Sequence, residues 1–381
     1  MKFSLVQRDG SARAGILSTG RGEIPTPAFM PVGTQGTVKA VEARELVETG
    51  ASIILGNAYH LYLRPGTPLI EKAGGLHRFM GWSKPILTDS GGYQVFSLAG
   101  LRDITEEGVR FRSHIDGSGH LFTPEGVVDI QRSLGSDVMM VLDECTPYPC
   151  DEAYARASNA MTLRWAERAR ERRERTSPLY GQEQGLFGIV QGSTYPEIRE
   201  ASARELAAMD FDGYAIGGLA VGEPADEMYG ITGLCTGILP AGRPRYLMGV
   251  GTPQNILESI ARGVDMFDCV LPTRNGRNAV LFTRQGKLNM RNAAHAGDFT
   301  PADATCSCYG CRNFTRAYIR HLFKAGEILA LQLATLHNLT FYCRLVAEAR
   351  EAILAKRFDE WKTMMLNALS AEEAGADTTP Q

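Results

Sequence analysis

Three aspartates stand at the polar ends of short apolar runs: Asp89 in LTDSGGYQVFS, Asp143 in VLDECTPYP and Asp268 in MFDCVLPTRNGRN. A carboxylate that closes a buried strand is costly unless it is hydrogen-bonded or used chemically. One such aspartate is readily explained as a helix cap or a loop anchor, three together much less so. Carboxylates gathered at one site suit cleavage of a glycosidic bond. One attacks the anomeric carbon to give a covalent sugar ester, and another moves the proton of the departing group. Groups suited to a planar, purine-like ligand accompany them. Gln191 offers a donor and an acceptor, Tyr93 a face for stacking, and Gly217-Gly218-Leu219-Ala220 a main chain that a flat ligand can approach closely.

A second constellation is Cys306-x-Cys308-x2-Cys311, three thiols within six residues. That spacing wraps one tetrahedral ion, and a closed zinc site needs a fourth ligand. His337 in TLHNLTFY is a good candidate, with His295 and His321 as alternatives. A Cys3His zinc with no open position would be structural. The other cysteines, Cys145, Cys150, Cys235, Cys269 and Cys343, are scattered and read as small buried residues or site lining, not as a disulfide framework.

Eight apolar runs place these groups: 27–33, 51–57, 85–92, 136–144, 185–192, 211–218, 245–251 and 266–272. They are too short for helices and too continuously apolar for a half-exposed sheet, so buried parallel strands fit. Helix signals lie between them: Thr123-Pro124-Glu125 and Thr252-Pro253 as N-cap plus proline, a charged segment at 152–175, and 195–209. The pattern predicts an α/β (β/α)8 TIM barrel, with an open doubly wound sheet as the alternative that periodicity leaves standing. The barrel is favoured because Asp89, Asp143, Gln191, Gly217, Gly218, Gly249 and Asp268 all fall at C-terminal strand ends, which converge in a barrel. Residues 1–26 read as an N-terminal β-layer turning at Asp9-Gly10, able to cover the barrel floor, and 109–122 as an inserted hairpin. The expected division is a catalytic barrel over 1–278, a zinc-binding and RNA-docking subdomain over 279–358, and a helix end with a disordered tail over 359–381.

At 44% hydrophobic and 22% charged, the 381 residues are ordinary for a globular chain. No signal-like start and no run of about 18 apolar residues is present, so the expectation is a cytoplasmic protein without membrane contact. The net charge of −3 conceals an asymmetry, because residues 273–324 carry nine Lys/Arg against Asp298 and Asp303. A basic block on an acidic body suits a polyanion such as nucleic-acid phosphates.

Taken together, TDSGGYQVFSL, LDECTPYP, GIVQG, DGYAIGGLAVGE, YLMGVGTP, DMFDCVLPTRNGRN and the Cys/His set resemble bacterial queuine-type tRNA-guanine transglycosylases, in order, over residues 1–358. The resemblance implies that Asp268 is the nucleophile on C1′ of the wobble guanosine and that Asp89 handles protons on the leaving and incoming bases. It implies that Asp143, Gln191 and Gly218 hold the base, with Ser90, Gly91, Gly92 and Gly217 around it, Tyr93 stacking on it, and Leu219 and Met248 lining the pocket. Cys145 and Val221 match the bacterial versions, which take 7-aminomethyl-7-deazaguanine for queuosine synthesis. The resemblance further implies recognition of U-G-U in tRNAs with G-U-N anticodons through Gly249, Val250, Gly251, Thr252, Pro253, Gln254 and Asn255 and through Thr273, Arg274, Asn275, Gly276 and Arg277. One structural zinc on Cys306, Cys308, Cys311 and His337 and a homodimer complete the implied picture. A catalytically silent relative would be expected to lose an acid or a pocket glycine. An archaeosine-type relative would carry a further C-terminal RNA-binding module, and a glycoside hydrolase would leave the cysteines unexplained.

Overall fold

The computed structural model describes residues 1–94 and 102–370. All eight apolar runs contribute strands to one parallel sheet, at 28–33, Ile54–Gly56, Ile86–Thr88, Val138–Met140, Gly185–Val190, Gly213–Ile216, Arg245–Leu247 and Met266–Asp268. The first is interrupted at Pro31, which has no N–H to give the ladder. Its half Ala28–Met30 pairs with Met266–Asp268, and its half Val32–Gly33 pairs with Ile54–Gly56. The sheet thereby returns on itself as an eight-stranded barrel, which decides against the open sheet. The strands are apolar throughout because the barrel interior covers one face and helices the other.

The predicted helices form where their starts were read. Thr123 Oγ1 accepts from Gly126 N at 3.0 Å to open Pro124–Leu134, and Thr252 Oγ1 accepts from Asn255 N at 3.1 Å to open Pro253–Ala261. Helices Glu152–Arg175 and Pro196–Ala208 occupy the other two segments. The inserted hairpin, Gly108–Arg112 with Gly119–Phe122, gains a third strand, Arg102–Thr105, that alternation had not marked.

Residues Lys2–Asp9, Ala12–Thr19 and Gly22–Thr26 form an antiparallel sheet across the N-terminal ends of the barrel strands. Arg13 anchors it. The guanidinium is 1% exposed and meets Asp265, just before the last strand, through Nε at 3.0 Å and Nη2 at 2.9 Å. After the barrel come a two-stranded hairpin, Val280–Thr283 with Gly286–Asn289, and helices Tyr309–Asn313, Arg316–Ala325, Ile328–Leu354 and Phe358–Ser370. The long helix Ile328–Leu354 serves two cores. Ala330, Leu333 and Ala334 pack with the cysteine segment, and Leu339 to Ile353 pack on the barrel. Among the described residues no helix is long and apolar enough to cross a membrane. The expected disordered tail starts at Ser370, which instead ends the last helix; residues 371–381 and the final VFSL of TDSGGYQVFSL lie outside the described residues.

Removing one member of a buried ion pair strands the other. Arg13→Ala is expected to destabilise the fold by about 3–5 kcal/mol, read from the urea unfolding midpoint. An unchanged midpoint would mean that the pair does not tie the floor sheet to the barrel.

Candidate active site and metal centre

The strand ends converge on a cavity of about 350 Å³ walled by Asp89, Asp143 and Asp268, with Ser90, Gly91, Tyr93, Gly217, Gly218, Leu219 and Met248 around them. Residues remote in sequence meet because each follows a barrel strand: Asn57 after Ile54–Gly56, Asp89 after Ile86–Thr88, Gly217 after Gly213–Ile216. Tyr93 stands at the rim, 53% exposed. Gly218, at φ +65°, adopts a left-handed conformation that a side chain disfavours, and a Cβ there would sit 2.4 Å from Gln191 Oε1.

Asp89 and Asp143 are buried and Asp268 is half-buried, and each is supplied with donors. Asp89 accepts from Ala58 N at 2.9 Å and from Asn57 Nδ2. Burial pushes its carboxyl up to about 7, the donors pull the other way, and the nearby Asp268 charge adds to the rise. Asp268 accepts on Oδ1 from the Tyr246 hydroxyl at 2.6 Å and from Gly249 N at 2.8 Å. Burial raises it above the usual carboxylate range, and those two donors oppose the rise. Asp143 accepts from Ser90 Oγ at 3.2 Å and Gln191 Nε2 at 2.7 Å, and burial pushes it up to about 6. Gln191 stands behind Asp143, 1% exposed, with Oε1 lacking a partner. Gly92, also buried, donates its N–H to Ser90 Oγ at 3.2 Å and so steadies the hydroxyl beneath Asp143.

Three polar groups at or behind the site escaped the sequence reading. Asn57 ends a strand just as the acids do, and that position was the available signal. Tyr246 is hidden inside an apolar run, where a tyrosine reads as core. Arg199 lies on the buried face of helix Pro196–Ala208 with Ile198, Ser202, Ala203 and Leu206, and a cation on an apolar face was the signal there.

The two segments expected to read RNA fall beside the cavity, in the turn into helix Pro253–Ala261 and in helix Leu271–Arg277. Gly249 and Arg274 are exposed, while Thr252, Gln254, Asn255, Asn275 and Arg277 are half-buried. Val250, Gly251, Pro253, Thr273 and Gly276 are buried and shape the surface from beneath. Gly251 must be small, since a Cβ there would fall 2.0 Å from Cys269 Cβ.

Cys306, Cys308, Cys311 and His337 bring four ligand atoms within 4.8 Å of one another, so the cluster can hold a metal ion. His337 Nε2 donates to Phe282 O at 2.8 Å, which leaves Nδ1 facing the thiols, 3.3 Å from Cys311 Sγ. The alternative ligands are elsewhere: His295 lies 4.0 Å from Asp298, and His321 is exposed on helix Arg316–Ala325.

A family profile described as queuine tRNA-ribosyltransferase matches residues 9–371. The protein of that name from Thermoanaerobacter pseudethanolicus is 57% identical over 375 residues, covering 98% of this chain and 99% of that one. Its namesake from Caldanaerobacter subterraneus subsp. tengcongensis is 58% identical over 368 residues, 96% of this chain and 97% of its own. The one from Thiobacillus denitrificans is 55% identical over 361 residues, 95% and 97% respectively. Similarity of this extent, over a barrel whose acids already meet at one cavity, is decisive: the chain belongs to the queuine tRNA-ribosyltransferase family.

Proposed function

We propose that this protein exchanges guanine at the wobble position of tRNAs with G-U-N anticodons for 7-aminomethyl-7-deazaguanine, through a covalent ester on Asp268. The observation that carries this reading is one cavity walled by two carboxylates in unlike settings, with a third forming a polar edge beside them. The wobble base leaves the anticodon stack to enter it. Asp268 attacks C1′ and the C1′–N9 bond breaks. The electron pair departs with guanine, which takes its proton from Asp89. The incoming base then gives a proton to Asp89 and attacks C1′, the ester bond breaks, and the original configuration returns. Tyr246 and Gly249 both engage Oδ1, which supports Oδ2 as the attacking oxygen.

Asp143, Gln191 and Gly218 hold the base edge, and Tyr93 stacks on it. Cys145 and Val221 both line the cavity, which supports the aminomethyl base over the larger queuine. Arg274 and Arg277, with Gly249 and the half-buried residues of both segments, read U-G-U and its phosphates. A thiolate-rich tetrahedral set with one imidazole suits zinc, held without an open position and therefore structural. A homodimer is supported by a chain of ring contacts, Tyr309–Phe314–Tyr318–His321, left partly open to solvent. Transfer RNA as substrate supports a cytoplasmic location.

Wild-type protein incubated with labelled guanine and a U-G-U stem-loop is expected to label the RNA, and Asp268→Asn to label none. Label entering RNA with the variant would remove Asp268 from the nucleophile's role. The leaving guanine needs the Asp89 proton, which is present below about pH 7 and lost above it. Single-turnover guanine release should therefore slow as pH rises past 7, while a rate flat to pH 9 would assign the proton to another group. Cys308→Ser should lose its metal by elemental analysis and melt several degrees lower; a variant that keeps both would sink the ligand set.

A further inference from the structure

Behind the base-binding wall lies a guanidinium that none of the roles above uses. Arg199 is fully buried. Its nitrogens donate to four main-chain carbonyls: Nε to Ser193 O at 2.7 Å, Nη1 to Val190 O and Gly217 O at 2.8 Å each, and Nη2 to Gly218 O at 3.3 Å. None of these acceptors is a carboxylate. Burying a cation with only main-chain carbonyls as hydrogen-bond acceptors is costly, even with the Glu223 charge nearby, and substitution by an apolar side chain would avoid that cost. Val190 ends the strand Gly185–Val190, Ser193 lies just past it, and Gly217 and Gly218 follow the adjacent strand Gly213–Ile216, where the polar edge of the cavity is built.

In a trans peptide the C=O and the following N–H point in opposite directions. With the Gly217 and Gly218 carbonyls drawn back onto Arg199, the N–H groups of Gly218 and Leu219 turn the other way. Gly217, Gly218 and Leu219 all wall the cavity, whereas Arg199 does not. We infer that Arg199 is a positioning residue for base recognition: from behind the wall it sets two N–H donors toward the cavity, a pair that accepts a 6-oxo purine-like base and rejects a 6-amino one. The charge also polarises each peptide it engages, which strengthens the opposite N–H as a donor. A 6-amino group would bring its own N–H against those donors and leave them unpaired. The inference rests on the base-exchange reading and adds to it the group that enforces its choice of base.

The test compares wild type, Arg199→Lys and Arg199→Met for exchange of labelled guanine, with 2,6-diaminopurine as the 6-amino competitor. For Arg199→Met the guanine KM is expected to rise about tenfold, with kcat at saturating guanine falling less. Discrimination against diaminopurine should shrink in parallel. Arg199→Lys, whose ammonium can reach some of the same carbonyls, should restore part of both, with stem-loop affinity near that of wild type. A merely structural role would instead lower kcat, stem-loop affinity and melting temperature together, with no change in base preference, and would overturn the inference. If Arg199→Met does not fold, Arg199→Lys decides alone: unchanged guanine KM and unchanged discrimination overturn the inference. Wild-type protein that exchanges no guanine would overturn the exchange reading and this inference with it, whereas normal wild-type exchange with indifferent variants overturns only the latter.

Discussion

A carboxylate withdrawn from water must find donors or keep its proton, and Asp89, Asp143 and Asp268 meet that constraint around one cavity. The donors come from every side: a side-chain amide and a helix N–H for Asp89, a phenol and a loop N–H for Asp268, a hydroxyl and an amide for Asp143. Much of the architecture near the site follows from the need to deliver these donors. Asn57 must end its strand beside Asp89, and Tyr246 must face inward one strand from Asp268. In the proposed reaction the same desolvation is put to use, because an acid that holds its proton near neutral pH can give it to a leaving base.

The helix Ile328–Leu354 carries the second constraint. Within six residues it offers His337 to the cysteines, Asn338 Nδ2 to Pro272 O at 3.0 Å, and the Tyr342 hydroxyl to Gly251 O at 2.6 Å. Pro272 opens the helix that follows Asp268, and Gly251 lies in the turn that follows Gly249. Gly276 fits against the long helix so closely that a Cβ would meet Thr335 N at 2.9 Å. The Cys3His cluster is thus held by the same helix whose other contacts set the loops around the proposed nucleophile.

The barrel was legible because parallel strands covered on both faces must be apolar along their whole length, and eight such runs with polar ends leave few arrangements. The acids were legible for the converse reason, as charged residues where charge is expensive. Asn57, Tyr246 and Arg199 were not, since each acts through a partner contributed by a distant segment. The division of the strand at Pro31 was likewise hidden: a single residue without an N–H serves two neighbours, which only the closed sheet makes apparent. The third hairpin strand, RDIT, is too short and too polar to show alternation. His337 was already the preferred fourth ligand in the sequence, and the long helix that brings it back onto the cysteines bears that preference out over His295 and His321.

The central claim is that Asp268 forms a bond to the ribose. Acid-quenched mixtures of the protein with a U-G-U stem-loop, digested and mapped by mass spectrometry, test it directly. A nucleoside ester on the peptide containing Asp268, lost on prior addition of excess guanine, is the result the account requires. An ester on Asp89 or Asp143, or base exchange with no protein-bound nucleoside at any quench time, would contradict it.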